Sequence, residues 1–127
     1  MSNRKPRGGC IGAGVLGSAI MRRLIDRGFQ TLLWNRDRTK LVPIWELGAA
    51  EAQSPVELAR DSELVGTCVS DGNVLEKVVF GEQGLGEGGS AGKVLVDMST
   101  CAVAQTREMA IRLAQQCGMA WLDAPIS

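Results

Sequence analysis

The sequence has 127 residues, 45% of them hydrophobic, and its 14 basic and 14 acidic side chains give a formal net charge of zero. This length predicts one domain, spanning residues 1–127, with a core of its own. The mixed charges do not suggest nucleic acid or a membrane surface as a partner, and the lack of a transmembrane-length run or an apolar leader predicts a cytoplasmic protein.

The first predicted element is a short apolar strand at residues 10–11, which leads into a glycine-rich turn and a helical pattern. The turn places Gly12, Gly14 and Gly17 at the spacing typical of a dinucleotide-binding strand-turn-helix unit. Gly12 permits the sharp turn, Gly14 lets the backbone approach a pyrophosphate, and Gly17 lets helix and strand pack closely. The unpaired amides at the start of this helix would then receive the phosphates.

The helix is predicted to end at Gly28, and residues 30–34 read as a second buried strand. Asn35 and Arg36 follow, about twenty residues after the middle glycine, where such units contact the adenosine ribose. A neutral amide followed by a guanidinium favours NADP, because Arg binds a phosphate through two parallel hydrogen bonds. Asp37 is evidence for NAD instead. In the alternative interpretation, Asn35 caps the next helix and Arg36 is a solvated surface charge.

Strands and helices alternate along the rest of the chain. Further helices are predicted at residues 41–48, from Ser54 and Pro55 onward, at 71–79 and at 106–117, and further strands at 49–53, 64–69, 93–97 and 119–122. The glycine-rich stretch at 81–92 lacks the Lys-Ser or Lys-Thr ending of a phosphate loop and is predicted to be a flexible surface connection. Six strands with crossover helices predict an α/β fold, a doubly wound parallel sheet of the Rossmann type.

The four cysteines have no paired spacing, which excludes a zinc ribbon and gives no disulfide framework. We therefore expect no metal site. Cys10, Cys68 and Cys117 are predicted to be buried, reduced thiols. Cys101 follows a predicted strand near the presumed cofactor edge, so a reactive role is the alternative for this residue.

Five segments together resemble the N-terminal cofactor domain of the β-hydroxyacid dehydrogenases. This family contains 3-hydroxyisobutyrate dehydrogenase, tartronate semialdehyde reductase and, more distantly, 6-phosphogluconate dehydrogenase. The matching segments are the glycine turn and residues 34–36, 70–71, 96–100 and 123–127. They occur in the family's order and cover essentially the whole chain.

The resemblance implies a set of cofactor-binding positions. These are the turn glycines with the amides of Val15 and Leu16, the ribose-contacting pair, the loop after the fourth strand and the nicotinamide end: Gly12, Gly14, Val15, Leu16, Gly17, Asn35, Arg36, Ser70, Asp71, Ser99 and Thr100. Ser127 matches the serine that helps to hold the substrate carboxylate. Many relatives carry a more apolar residue and a proline near Ser70.

The family's general acid-base lysine lies in a helical domain that follows the position of Ser127. Hydride reduction of a carbonyl needs a proton donor, and this chain has no His or Tyr. Its four lysines, Lys5, Lys40, Lys77 and Lys93, are placed unsuitably for this role, so we expect no catalytic residue in the chain. The leading hypothesis is a cofactor-binding part of an NADP-preferring oxidoreductase that transfers hydride between nicotinamide and a small β-hydroxyacid, inactive when isolated.

Two alternatives stay open, a stand-alone nucleotide-binding or regulatory module and an imine reductase-like cofactor domain. Without a helical domain to cover it, apolar surface around Met119, Trp121 and Leu122 is expected to be exposed. Such a surface favours self-association, and a symmetric homodimer is the commonest outcome.

Overall fold

The structure is a computed structural model, and it describes residues 7–12, 15–37 and 48–124. The strands within these residues are β1 (Gly8–Ile11), β2 (Thr31–Trp34), β3 (Ala50–Glu51), β4 (Leu64–Thr67), β5 (Val94–Asp97) and β6 (Ala120–Asp123). The helices are α1 (Val15–Asp26), α2 (Pro55–Asp61), α3 (Gly72–Phe80), α4 (Leu85–Gly88) and α5 (Val103–Cys117). The predicted helix at 41–48 falls almost entirely outside the described residues.

All six strands form one parallel sheet in the order β3-β2-β1-β4-β5-β6. The chain builds outward from β1 to β3 and then returns to place β4 on the other side of β1. The prediction of a doubly wound parallel sheet is therefore confirmed. In such sheets the crevice at the carboxyl ends of the two strands flanking the reversal, here β1 and β4, is where ligands bind.

Hydrophobic side chains pack on both faces of the sheet, in a small cluster on one face and a larger one on the other. On one face, Cys10 and Leu33 pack with Met21 of α1. On the other face, Val65 and Leu95 are fully buried in a larger cluster with residues from α2, α3 and α5. Near-continuous apolar strands fit a sheet covered on both sides. Burial raises the pKa of the Cys10 thiol to about 12, with a further contribution from Cys68.

The helix boundaries follow the capping signals in the sequence. Ser54 accepts a hydrogen bond from the Glu57 amide, and Pro55 opens α2. Gly28 and Gly118 follow α1 and α5 with φ of 84° and 80°, the left-handed conformation typical of helix ends. Helix α5 begins three residues before the predicted start at 106.

The prediction of a flexible connection at residues 81–92 is wrong. Gly84, Leu85 and Gly86 are buried, and α4 forms within this stretch. A Cβ on Gly84 would lie 2.6 Å from the Val79 carbonyl oxygen, and one on Gly88 would overlap the carbonyl of Val56. Gly84 and Gly88 therefore allow close backbone packing within this stretch.

The prediction of exposed apolar surface near β6 is correct in part. Leu122 is 56% exposed, but Met119 is fully buried and Trp121 packs against the larger core cluster. Met119 precedes β6 and points into the space between α4 and the sheet, since its sulfur lies close to Gly89. Leu122 lies on the face of the sheet opposite to Trp121, and it shares this face with Leu64, which is 42% exposed.

Among the helices of the described residues, none has the length and apolar character needed to cross a membrane. The same residues contain no group of three or more His, Cys, Asp or Glu side chains arranged to hold a metal ion. None of the four cysteines, all of which lie within the described residues, forms a disulfide.

Candidate dinucleotide-binding site

The turn after β1 lies against the end of β4. Gly12 has φ of 105°, and a Cβ at this position would overlap the carbonyl oxygen of Cys68. The Gly12 amide donates to Trp34 O at 3.1 Å, and the Cys68 amide donates to Ile11 O at 2.9 Å. Only glycine combines this backbone conformation with this close approach, so the first glycine of the sequence motif has the structural role predicted for it.

Helix α1 begins at Val15, three residues after Gly12. Its first amides have no partner within the helix and its positive dipole end lies at the carboxyl edge of the sheet, an arrangement that favours an anion. Val15, Leu16 and Gly17 thus form the first helical turn, as predicted. Gly14 lies outside the described residues.

At the end of β2 the Asn35 side chain shapes the local backbone. Its Nδ2 donates to the Asp37 carbonyl at 2.8 Å, while Arg36 and Asp37 are exposed. The side-chain amide therefore fixes a tight turn that presents the Arg36 guanidinium to solvent at the carboxyl edge. The residues of the next predicted helix lie outside the described part of the chain, so the capping alternative for Asn35 stays untested.

The loop after β4 leads directly into α3. Asp71 is the N-cap of this helix, and its Oδ1 accepts from the amides of Asn73 at 2.8 Å and Val74 at 3.0 Å. Ser70 is exposed beside it. The structure therefore gives Asp71 a capping role, and both predicted cofactor contacts in this loop are exposed.

The loop after β5 places its two predicted site residues differently. Ser99 is 3% exposed, and its Oγ accepts from the Val69 amide at 2.9 Å. Thr100 is exposed. The serine hydroxyl thus joins the loops after β4 and β5, and Thr100 is the side chain of the pair that faces solvent.

Sequence reasoning missed the buried carboxyl of Asp97. Its Oδ1 accepts from Thr67 Oγ1 and from the Ser99 amide, both at 3.0 Å, and the residue is fully buried. Burial raises the pKa of Asp97; hydrogen bonds from Ser99 and Thr67 oppose the shift, and the charge of Asp123 adds to it. An acidic residue that ends an otherwise apolar strand is the sequence signal that indicates such a group.

Cys101 lies among acidic groups. Burial raises the pKa of its thiol, and the carboxylates of Asp97, Asp123 and Asp71 raise it further, against a hydrogen bond with Thr106. Because the thiolate is the reactive form of cysteine, this environment disfavours the reactive role considered for Cys101.

Lys93 lies at the opposite edge of the sheet. Its Nζ donates to the carbonyls of Ala59, Arg60 and Ser62 at 2.6, 2.8 and 2.7 Å, at the end of α2. Burial lowers its pKa, as does the charge of Arg7, and Asp61 and Glu63 oppose the shift. This lysine caps a helix at the end of the sheet opposite the crevice, where the sequence predicted it to lie. Lys77 is exposed on α3, while Lys5, Lys40 and Ser127 lie outside the described residues.

Comparison with known proteins identifies relatives of this chain. The 3-sulfolactaldehyde reductase of Escherichia coli is 30% identical over 116 residues, which cover 91% of this chain and 39% of the reductase. A 3-hydroxyisobutyrate dehydrogenase-like protein of Arabidopsis thaliana is 34% identical over 123 residues, which cover 97% of this chain and 38% of the Arabidopsis protein. The chain therefore spans about two fifths of the length of these relatives.

Solved structures of similar fold contain nicotinamide cofactors. Psf3 in complex with NADP+ and 2-OPP superposes with a TM-score of 0.88 at 29% identity, covering 94% of this chain and 42% of Psf3. An imine reductase from Myxococcus stipitatus in complex with NADP+ superposes with a TM-score of 0.82 at 30% identity, and the match covers 93% of this chain and 40% of the reductase. Its V8 variant, in complex with NAD+, superposes with a TM-score of 0.83 at 28% identity, and the match covers 94% of this chain and 40% of the variant.

The family model for the NAD-binding domain of 6-phosphogluconate dehydrogenase matches residues 7–127. The match spans all six strands, the glycine turn and the loops at the carboxyl edge. This chain therefore belongs to that family and is an NAD(P)-binding domain.

Proposed function

We propose that this chain binds NADP in preference to NAD in the crevice between β1 and β4, with the pyrophosphate at the start of α1. The observation that carries the proposal is the reversal of strand order at β1, where Gly12 packs against Cys68 at the carboxyl ends of β1 and β4. Thr100 and Ser70 are exposed along the same edge and would flank the nicotinamide half of the cofactor.

The preference for NADP depends on Arg36. This side chain is exposed at the end of β2, and the turn held by Asn35 fixes the backbone that carries it. A guanidinium there would bind the 2′-phosphate that distinguishes NADP from NAD. The complexes of similar proteins with NADP+ support this choice, and the complex of the V8 imine reductase variant with NAD+ shows that the fold accepts either cofactor.

Replacing Arg36 with Ala tests the preference. We expect the Arg36→Ala variant to bind NADPH more weakly by about 2 kcal/mol, the contribution of a charge-assisted hydrogen-bond pair, and to bind NADH nearly unchanged. Fluorescence titration with both cofactors measures the two affinities. Arg60→Ala is the matched control, because Arg60 is exposed in the last turn of α2, at the opposite edge of the sheet. Equal losses for NADPH and NADH would contradict the proposal.

We further propose that the complete protein transfers hydride between nicotinamide and a small β-hydroxyacid, and that Ser127 contacts the substrate carboxylate. A carbonyl that accepts hydride also needs a proton, and the described residues offer no free lysine in the crevice, since Lys93 caps α2. The chain would therefore bind cofactor without turnover. Incubation of the chain with NADPH and a β-hydroxyacid semialdehyde should leave the absorbance of the reduced nicotinamide constant.

An imine reductase is the second candidate, because an enzyme of that class matches at 30% identity over 93% of the chain. Assaying a cyclic imine beside the semialdehyde, with a longer protein carrying this domain, separates the two activities. A cytoplasmic location also belongs to this proposal, since four free thiols suit a reducing compartment.

A further inference from the structure

We propose that Asp97 is a positioning residue for the dinucleotide-binding loop, which it controls through Ser99 without contacting the cofactor. The inference rests on the proposed function, since the loop in question, residues 68–71, borders the crevice between β1 and β4. Asp97 lies one strand away, at the end of β5.

The first step is the double use of one carboxyl oxygen. Oδ1 of Asp97 accepts from Thr67 Oγ1, at the end of β4, and from the Ser99 amide, in the turn after β5. The Met98 amide adds a backbone hydrogen bond to Thr67 O at 2.8 Å. A single buried oxygen thus fixes where the chain turns after β5 relative to the end of β4.

The second step is the bond from Ser99 to the next loop. The Ser99 Oγ accepts from the Val69 amide at 2.9 Å. The backbone pairing between β4 and β5 ends at Thr67 and Asp97. Beyond this point, the Ser99 side chain connects the two loops that follow these strands. With Ser99 only 3% exposed, a change in its position would leave the Val69 amide poorly satisfied.

The third step connects this loop to the phosphate turn. Cys68, next to Val69, donates its amide to Ile11 O, and its carbonyl occupies the space that a side chain on Gly12 would need. The backbone at 68–69 therefore forms one wall of the crevice. A shift of this wall by a few tenths of an ångström would change the space available to a pyrophosphate at Gly12.

The other carboxyl oxygen argues that this arrangement has a function beyond stability. Oδ2 of Asp97 is buried and has no hydrogen-bond partner among the described residues. The nearby groups Asp123, Asp71 and Cys101 offer no positive charge. A buried carboxyl without a cationic partner opposes folding. We infer that Asp97 is present in spite of this cost because it fixes the position of Ser99 and of the loop at residues 68–71.

Four single variants of the 127-residue chain test the inference. Asp97→Ala removes the acceptor, and Ser99→Ala removes the link to Val69. Asp97→Asn keeps an oxygen in the place of Oδ1 and is the conservative rescue. Asp123→Asn is the matched control, because Asp123 pairs with Asp97 in register but is exposed. NADP+ affinity is measured by calorimetry, and the Val69 amide proton is followed by NMR without cofactor.

We expect Asp97→Ala and Ser99→Ala to weaken NADP+ binding by about fivefold or more, as for one lost hydrogen bond, and to shift the Val69 amide proton upfield. Asp97→Asn and Asp123→Asn should stay within about twofold of the wild type. A folded Ser99→Ala chain with unchanged affinity and Val69 signal would overturn the inference, even if Asp97→Ala failed to fold. Failure of Asp97→Asn to restore the signal would overturn it as well. If the wild type bound neither NADP+ nor NAD+, the proposed function would fall, and the Val69 signal alone would decide whether Asp97 positions the loop.

Discussion

Gly12 is restricted both by its backbone conformation and by its neighbour. Its φ of 105° is unfavourable for any residue with a Cβ, and the carbonyl of Cys68 occupies the space in which that Cβ would lie. Gly92 has a similar φ of 94° but no atom within 4 Å of a Cβ placed on it. Comparing alanine substitutions at the two positions therefore separates the cost of the backbone conformation from the cost of steric overlap.

We expect Gly12→Ala to lower the free energy of unfolding by about 3 kcal/mol or more, and Gly92→Ala by about 1 kcal/mol. Urea unfolding followed by circular dichroism measures both. Equal losses would mean that the end of β4 moves away from the new methyl group at little cost, and that the close approach of β1 and β4 is not required for stability.

The Asp97 carboxyl gives the stability of the fold a pH dependence of defined sign. Burial raises its folded-state pKa above the ordinary value of 3.8. As the pH rises from about 4 through the folded pKa, the unfolded chain has lost this proton while the native chain still holds it, so stability falls. Asp97→Asn cannot ionise and should lack this fall.

Relative to Asp97→Asn, the wild type should therefore be less stable at neutral pH than near the unperturbed pKa of about 4. Urea unfolding of both proteins at the two pH values gives the difference. Parallel stability curves for the wild type and Asp97→Asn would show that the carboxyl titrates alike in both states.

At the scale of elements, Lys93 joins α2 to β5. Its ammonium group donates to three carbonyls at the end of α2, Ala59, Arg60 and Ser62. The last carbonyls of a helix lack partners within the helix, and a cation there also interacts favourably with the dipole. One side chain thus satisfies three carbonyls at the end of a seven-residue helix and stabilises its last turn.

Replacing Lys93 with Met, which keeps the length and apolar part of the side chain, should lower the free energy of unfolding by about 2 kcal/mol. Lys77→Met, on the exposed face of α3, should change it by less than about 0.5 kcal/mol. Chemical denaturation compares the two variants. A loss at Lys93 no larger than at Lys77 would show that water replaces the ammonium group without cost.

The elements themselves could be predicted from the sequence because their signals are local. The glycine turn, the Ser54-Pro55 helix start and the apolar strands each depend on a few adjacent residues. The packing of Gly88 against α2 could not be predicted, because Val56 lies in a segment far away in the chain. The bonds of Asp97 to Thr67 and of Ser99 to Val69 each span 30 residues, so no local pattern indicates them.

At the scale of the whole molecule, the described residues leave one half of one sheet face incompletely covered. Leu64, Val94 and Ala120 share a row across β4, β5 and β6, and Val96 and Leu122 share the next. Leu64 and Leu122 are 42% and 56% exposed, whereas Val65 and Leu95 on the opposite face are fully buried. Parallel sheets are ordinarily covered on both faces, so we propose that a second copy of the chain packs here as a symmetric homodimer.

Light scattering with size-exclusion chromatography should show association that increases over a tenfold range of concentration. Leu122→Glu should reduce it, because a charge would be buried in the contact. Ile111→Glu is the control, since Ile111 is 59% exposed on α5, a helix that covers the other face of the sheet. A monomer at every concentration would contradict the homodimer.

Cys10 gives this fold an internal reporter of motion. Its thiol lies beneath α1, against Met21 and Leu33, and it is 6% exposed, whereas the other three thiols are half-buried. A thiol-specific reagent can reach it only when the helix lifts from the sheet, and the high pKa of the thiol makes direct attack slow. A dinucleotide held at the start of α1 would have to leave before the helix could lift, so the labelling rate of this one sulfur measures how firmly the cofactor fastens the helix to the sheet.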